Sequence, residues 1–310
     1  MKQPTNNQLT TNNIPREKCK GFNALFNQSL MWVLLLPTVL SIIICHWNPV
    51  LKGVYMSFFR TRGYEAIEFV GLDNYLKVLT DSMFLQTLLN TCAYVFWSLI
   101  LGALPPLILA ICINEIVHGK QVFKVITYLP AVAPALAVSL IWLNIYSPSA
   151  GGLLNSVLSK LGLPLSQWLG DSKLTIPLIV ISMTWSGYAT TMLLYLSALQ
   201  TVRQDLYEAA VIDGAGVWRR LFKITLPHIA PTMLLIIVRQ IIGVFQIMDQ
   251  PLVMTDGGPN GASLSLNLSA YKMAFTYMQV DRALALGVVS FVILLFATMF
   301  YFKLDKKLEE

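Results

Sequence analysis

Leu88 to Ile113 reads LLNTCAYVFWSLILGALPPLILAICI, and this stretch decides the class of fold. It holds no Lys, Arg, Asp or Glu, over more than the ~20 residues a helix needs to cross the hydrocarbon core of a bilayer. Only a helix can lie there, because backbone N–H and C=O groups have no water to pair with in lipid. Five further apolar runs read the same way: Leu30 to Val50, Val125 to Ile145, Leu174 to Leu199, Ile229 to Met248 and Ala283 to Phe302. Of the six, only the fifth contains a charged residue, Arg239. The chain is therefore expected to be an all-α membrane protein with six transmembrane helices over residues 30–302, between a polar tail at 1–29 and a short tail at 303–310. Composition agrees, with 55% hydrophobic and 12% charged residues, where a soluble domain carries about 25% charged. Prolines at 37, 105, 106, 130, 134, 177 and 231 predict kinked helices around a cavity.

An even number of spans returns the chain to the side on which it began. The tail at 1–29, residues 114–124, residues 200–228 and the tail at 303–310 together carry thirteen Lys and Arg, against eight in the alternate connections. Both termini are thus expected in the cytoplasm, in a multi-pass cytoplasmic-membrane protein. The formal charge of +6 is then a membrane-side excess and gives no reason to expect nucleic acid. Arg16, Lys18 and Lys20 ahead of the first span resemble a signal-peptide n-region. Cys45, His46 and Trp47 offer no small-residue cleavage site, so that span is read as an uncleaved anchor. Cys19, Cys45, Cys92 and Cys112 are far apart and suggest neither a disulfide framework nor a metal site.

The connection at 200–228 is short, mixed in charge and helical in pattern. Asp205 with Glu208 three residues on resembles a capping box, Ala209 and Ala210 favour helix, and Gly214 and Gly216 stop it. A second short helix from Val217 through Phe222 is expected before Leu226 and Pro227 turn the chain into the fifth span. Within this stretch Glu208-Ala209-Ala210 is followed by Asp213-Gly214-Ala215, with Gly214 four residues after Ala210, and then by Ile224, Leu226 and Pro227. The pattern resembles the EAA loop of ABC-importer permeases: E-A-A, three residues, G, nine residues, I-x-L-P. Val70 to Tyr75 (VGLDNY), Asn90-Thr91, Gly151 to Asn155 (GGLLN) and Thr255 to Pro259 (TDGGP) are similar to the carbohydrate-uptake, maltose-type branch of that family. The resemblance covers roughly Phe69 to Phe302.

It implies a permease subunit forming half of a translocation pore for a sugar or oligosaccharide in a bacterial cytoplasmic membrane. A separate ABC ATPase subunit, a second homologous permease and an extracellular solute-binding protein are its implied partners, with Glu208, Ala209, Ala210, Asp213, Gly214 and Ala215 meeting the ATPase. The residues agree with a non-enzymatic subunit that needs no cofactor. No phosphate-binding G-x-x-x-x-G-K-[ST] occurs, and His46, His118 and His228 are isolated. Rival readings are an ABC permease for a polyol or glycerol phosphate, and an ion-coupled secondary transporter, for which paired half-helices and membrane carboxylates are not evident.

Polar groups inside spans tend to face the bundle interior or a water-filled path. In the fourth span Met183, Ser186, Gly187 and Thr190 fall on one stripe beside Trp185 and Tyr188; the same spacing also suits close helix packing. The resemblance places part of the sugar site on this helix, and Met183 and Thr190 stand where ligands of a maltodextrin carrier are expected, which argues against that sugar. The fifth span adds Arg239, Gln240, Gln246 and Asp249. Gln246 and Asp249, at helical spacing, are expected to meet sugar hydroxyls, the alternative for Asp249 being a place in the outer headgroup zone, and Arg239 is expected to face a partner permease or the cavity. Ser186, Gly187 and Thr190 complete the expected substrate path. In the second outer connection Leu153, Leu154, Val157, Leu158 and Leu161 form an amphipathic stripe suited to membrane lipid or to receiving a binding protein.

Overall fold

The computed structural model describes residues 22–116 and 118–309, with side chains over 32–116, 118–299 and 301–303. The readings on the Asn-rich tail, the basic cluster at 16–20 and Cys19 fall outside the described residues. Two compact units divide the chain, residues 1–53 and 54–310. α1 (Phe22–Ile42), in the first, passes through a π turn, Ile43–Trp47, into α2 (Asn48–Met56), whose residues 54–56 belong to the second. Trp32–Met56 is long and apolar enough to cross a membrane, and Leu34, Ile44 and Leu51 on it are exposed.

The second unit opens with a two-stranded antiparallel hairpin, β1 (Phe59–Arg62) and β2 (Glu65–Phe69), and the short α3 (Asp73–Leu79). Asn74 is buried here, its amide donating to the carbonyls of Ser57 and Phe59 at 2.9 Å each, so the VGLDNY segment ties hairpin to helix. Then follow α4 (Phe84–Glu115), α5 (Lys120–Val132), α6 (Ala135–Ile145) and α7 (Leu153–Lys160). The chain continues through α8 (Thr175–Leu199), α9 (Gln204–Ile212), α10 (Val217–Phe245), α11 (Asp249–Thr255), α12 (Leu266–Tyr271) and α13 (Val280–Glu309). Among the described residues five helices are long and apolar enough to span, six if α5 and α6 make one crossing.

That third span departs from expectation: instead of one helix over Val125 to Ile145, α5 and α6 meet at 92°. Pro134 is the cause. Its ring pushes the preceding Ala133 out of helical space, to φ −71° and ψ 137°, and it has no N–H to continue the ladder. At three other sites proline accompanies a widened turn of helix rather than a break. Three of the four π turns among the described residues, Ile43–Trp47, Leu99–Ala103 and Leu221–Thr225, end two residues before Pro49, Pro105 and Pro227. A carbonyl four residues ahead of a proline finds no donor there, and a π turn hands the local carbonyls to donors five residues on, as Leu226 N–H to Leu221 O shows. For the same reason the separate short helix expected at Val217–Phe222 runs unbroken into the fifth span as α10.

Small residues sit where helices meet: Ala110, Ala189 and Ala285 are fully buried beside Met192, Tyr195 and Leu286. In lipid the apolar drive to associate is absent, so close backbone approach and hydrogen bonds between helices hold the bundle. The start of α4 supplies such bonds to the TDGGP connection. Asn90 donates to the carbonyls of Gly261 at 2.7 Å and Leu264 at 3.0 Å, Tyr94 donates to Ser263 O at 3.1 Å, and the Thr91 hydroxyl accepts from Leu266 N–H at 3.0 Å. On α7, Leu153, Val157 and Leu161 are exposed, while buried Asn155 bonds Pro148 O, Ser166 O and the Trp168 indole N–H, fixing which face turns outward.

Candidate translocation site

A cavity of about 310 Å³ opens between α4, α8 and α10. From α8 it receives Met183, Gly187 and Thr190 of the expected stripe, together with Thr184, Tyr188 and Thr191; from α10 come Arg239, Gln240 and Gly243, and from α4 Gly102. A β-carbon at Gly102 would stand 2.6 Å from Gln240 Nε2, so a larger residue there would push that amide aside. The Thr184 hydroxyl is buried without a hydrogen-bond partner among the described residues. Arg239 forms neither an ion pair nor a hydrogen bond among them. No Asp or Glu lines the cavity.

Gly187, Thr190 and Arg239 all line this cavity. Ser186 is half-buried outside the lining, and its Oγ donates to Met183 O at 3.1 Å. Gln246 and Asp249 also stay outside, exposed, and they do not share a helix face. α10 ends at Phe245, Gln246 is its cap, Met248 leaves helical space at φ −141° and ψ −48°, and Asp249 opens α11. Pro251 explains the break: continuing α10 would set it against the Ile247 carbonyl, whereas in the first turn of a new helix its missing N–H is harmless. The carbonyls freed at the end of α10 are taken up by Ser265, which donates to Ile247 O at 2.5 Å, and Asn267, which donates to Gln246 O at 2.8 Å.

Sequence reasoning missed Thr184, Thr191 and Gly102 as cavity residues and left Gln240 without a role. Thr184, Tyr188 and Thr191 form an i, i+4, i+7 stripe parallel to the one chosen, a readable signal. Gly102 carried none, because its role exists only through the approach of Gln240 from another helix.

At one end of the bundle, α9 begins at Gln204, one residue before the expected cap, so the capping box does not form. Asp205 instead lies in the first turn and pairs with Arg203, and Glu208 falls in the second turn, exposed and outside the ion pairs of the described residues. The helix closes as a Schellman motif: Gly214 takes φ +73°, its N–H bonds Val211 O at 3.0 Å, and Ala215 N–H bonds Ala210 O at 2.8 Å. Tyr207 OH and Thr225 Oγ1, 2.8 Å apart, link α9 to the base of α10. Ile212, Val217 and Trp218 around this turn are 86%, 69% and 73% exposed.

A bundle of apolar helices with a polar cavity between them has the form a transport protein needs. Residues 78–310 match the family described as binding-protein-dependent transport system inner membrane component, and the chain belongs to that family. It is similar to the arabinooligosaccharides transport system permease protein AraP of Bacillus subtilis, 31% identical over 93% of this chain and 93% of that protein. It is also similar to the trehalose/maltose transport system permease protein MalF of Thermococcus litoralis, 33% identical over 89% and 94% of the two chains. A chain of a bacterial alginate ABC transporter, solved in complex with an alginate pentasaccharide-bound periplasmic protein, shares the fold. Its TM-score is 0.82 at 24% identity, covering 92% of this chain and 97% of that one.

Proposed function

We propose that this chain is a permease subunit of an ATP-driven importer, forming half of the pore for a sugar or oligosaccharide. The observation that carries the reading is the cavity rich in hydroxyl and amide groups between α4, α8 and α10, in a chain whose relatives AraP and MalF are named for sugar transport. Threonine and tyrosine hydroxyls and the Gln240 amide both donate and accept, which is what sugar hydroxyls require. A second, homologous permease completes the pore, a solute-binding protein delivers the ligand, and both termini lie in the cytoplasm.

Energy enters through the loop at 200–228. Its apolar, exposed Ile212, Val217 and Trp218 and its outward Glu208 suit a groove on a separate ATPase subunit. A short helix closed by Gly214 and bonded to α10 through Tyr207 can pass a push from that subunit to the spans. The test is the complete transporter in membranes, with Ala209→Cys for crosslinking and Glu208→Lys and Gly214→Asp for function. We expect crosslinks to the ATPase, and variants that insert normally but lose the bound ATPase or hydrolyse ATP without uptake. If crosslinks never reach an ATPase and both variants import at normal rates, the coupling assignment is wrong.

A further inference from the structure

We propose that the solute crossing this cavity is an anionic sugar, carrying a carboxylate or phosphate, and that Arg239 receives that group. The proposal rests on the sugar-permease reading above and narrows it. Arg239 is the single charged residue lining the cavity. It stands six residues, ~9 Å along the axis, inside the Phe245 end of α10. Neither its own chain nor the rest of the lining supplies a counter-charge among the described residues.

A neutral sugar needs only dipoles, and the cavity has them in Thr184, Tyr188, Thr190, Thr191 and Gln240. A cation within a span is costly unless paired, and a neutral sugar offers the guanidinium hydrogen-bond acceptors but no counter-charge. An anionic ligand reverses the balance. The guanidinium is planar, always charged, and matches a carboxylate or phosphate through two parallel hydrogen bonds. The unpartnered Thr184 hydroxyl and the Gln240 amide beside it are then placed to meet the hydroxyls of the same sugar. The other possible source of counter-charge is a carboxylate on the second permease, and the experiment separates the two.

The complete transporter, with its permease pair, ATPase and binding protein, is reconstituted in liposomes. It is offered galacturonic acid trimer, the fully methyl-esterified trimer, a hexose phosphate, and neutral arabino- and malto-oligosaccharides. The expected result is ATP-driven uptake of the galacturonate or the hexose phosphate at least tenfold faster than of the ester and the neutral sugars, the faster of the two identifying the anionic group. Arg239→Gln should cut that uptake at least tenfold and narrow the preference for the anionic sugar over its ester, and Arg239→Lys should retain part of it. Wild-type uptake that favours neutral sugars overturns the charge assignment alone, because ATP-driven sugar import then still stands. Arg239→Gln that separates the permease pair and stops all uptake, with Arg239→Lys restoring the pair and every substrate equally, overturns it in favour of the partner carboxylate. Absence of ATP-driven uptake of every sugar, charged or neutral, overturns the sugar-permease reading itself.

Discussion

Gly214 shows what one residue contributes. With φ at +73° it lets α9 end in a left-handed turn that returns two backbone N–H groups to Ala210 and Val211. A side chain there strains the turn by about 1 kcal/mol. Gly214→Ala should therefore speed hydrogen exchange at the amides of residues 214 and 215 by roughly fivefold, with exchange in the α8 core unchanged. Equal protection in the two proteins would show that the turn does not depend on glycine. This position was legible in the sequence, because a stop signal after a helical run needs only local geometry. Gly102 was not, since its reason is Gln240 at 2.6 Å from where a β-carbon would stand, on a helix more than a hundred residues away.

At the scale of elements, proline sets where helices widen, break and restart. The sequence showed that prolines would disturb the spans; it did not show which would be absorbed by π turns and which, like Pro134, would bend the path by 92°. At the π turns the carbonyls bond donors further along the same helix, whereas at the end of α10 they are met by side chains from another element. The Gln246 and Asp249 pairing failed as a shared face because Pro251 ends α10, and Ser265 and Asn267 from another element take up the carbonyls freed there. The link between α9 and α10 is likewise tertiary. Tyr207→Phe removes one hydroxyl bond, worth about 1 kcal/mol. Tyr207→Phe and Thr225→Val combined should cost less than the sum of the two, a coupling of about 1 kcal/mol in a double-mutant cycle on thermal unfolding. Strict additivity would mean the two hydroxyls do not support each other.

For the whole molecule, topology is the decisive quantity. α5 and α6 together hold 24 residues; inclined near 45° each, they rise about 25 Å, close to the ~30 Å core. With α5 and α6 counted as one bent crossing the candidate spans number six, and α10 by itself sets the loop at 200–228 and the turn at 255–261 on opposite sides. A reporter fused after Asp213 should accordingly be cytoplasmic and one after Gly258 external, as the Lys and Arg distribution requires. Both reporters on the same side would remove one crossing from the bundle. What the sequence determined by itself were the spans, their expected sidedness and the loop motif, because lipid imposes hydrophobic length, charge imposes side, and a helix cap is local chemistry. Only the tertiary structure decided which polar side chains share a cavity. Gly187, Thr190, Thr184, Gln240 and Arg239 meet because α4, α8 and α10 pack against one another, and a helix's spacing along its own axis carries no information about which neighbour its face will meet.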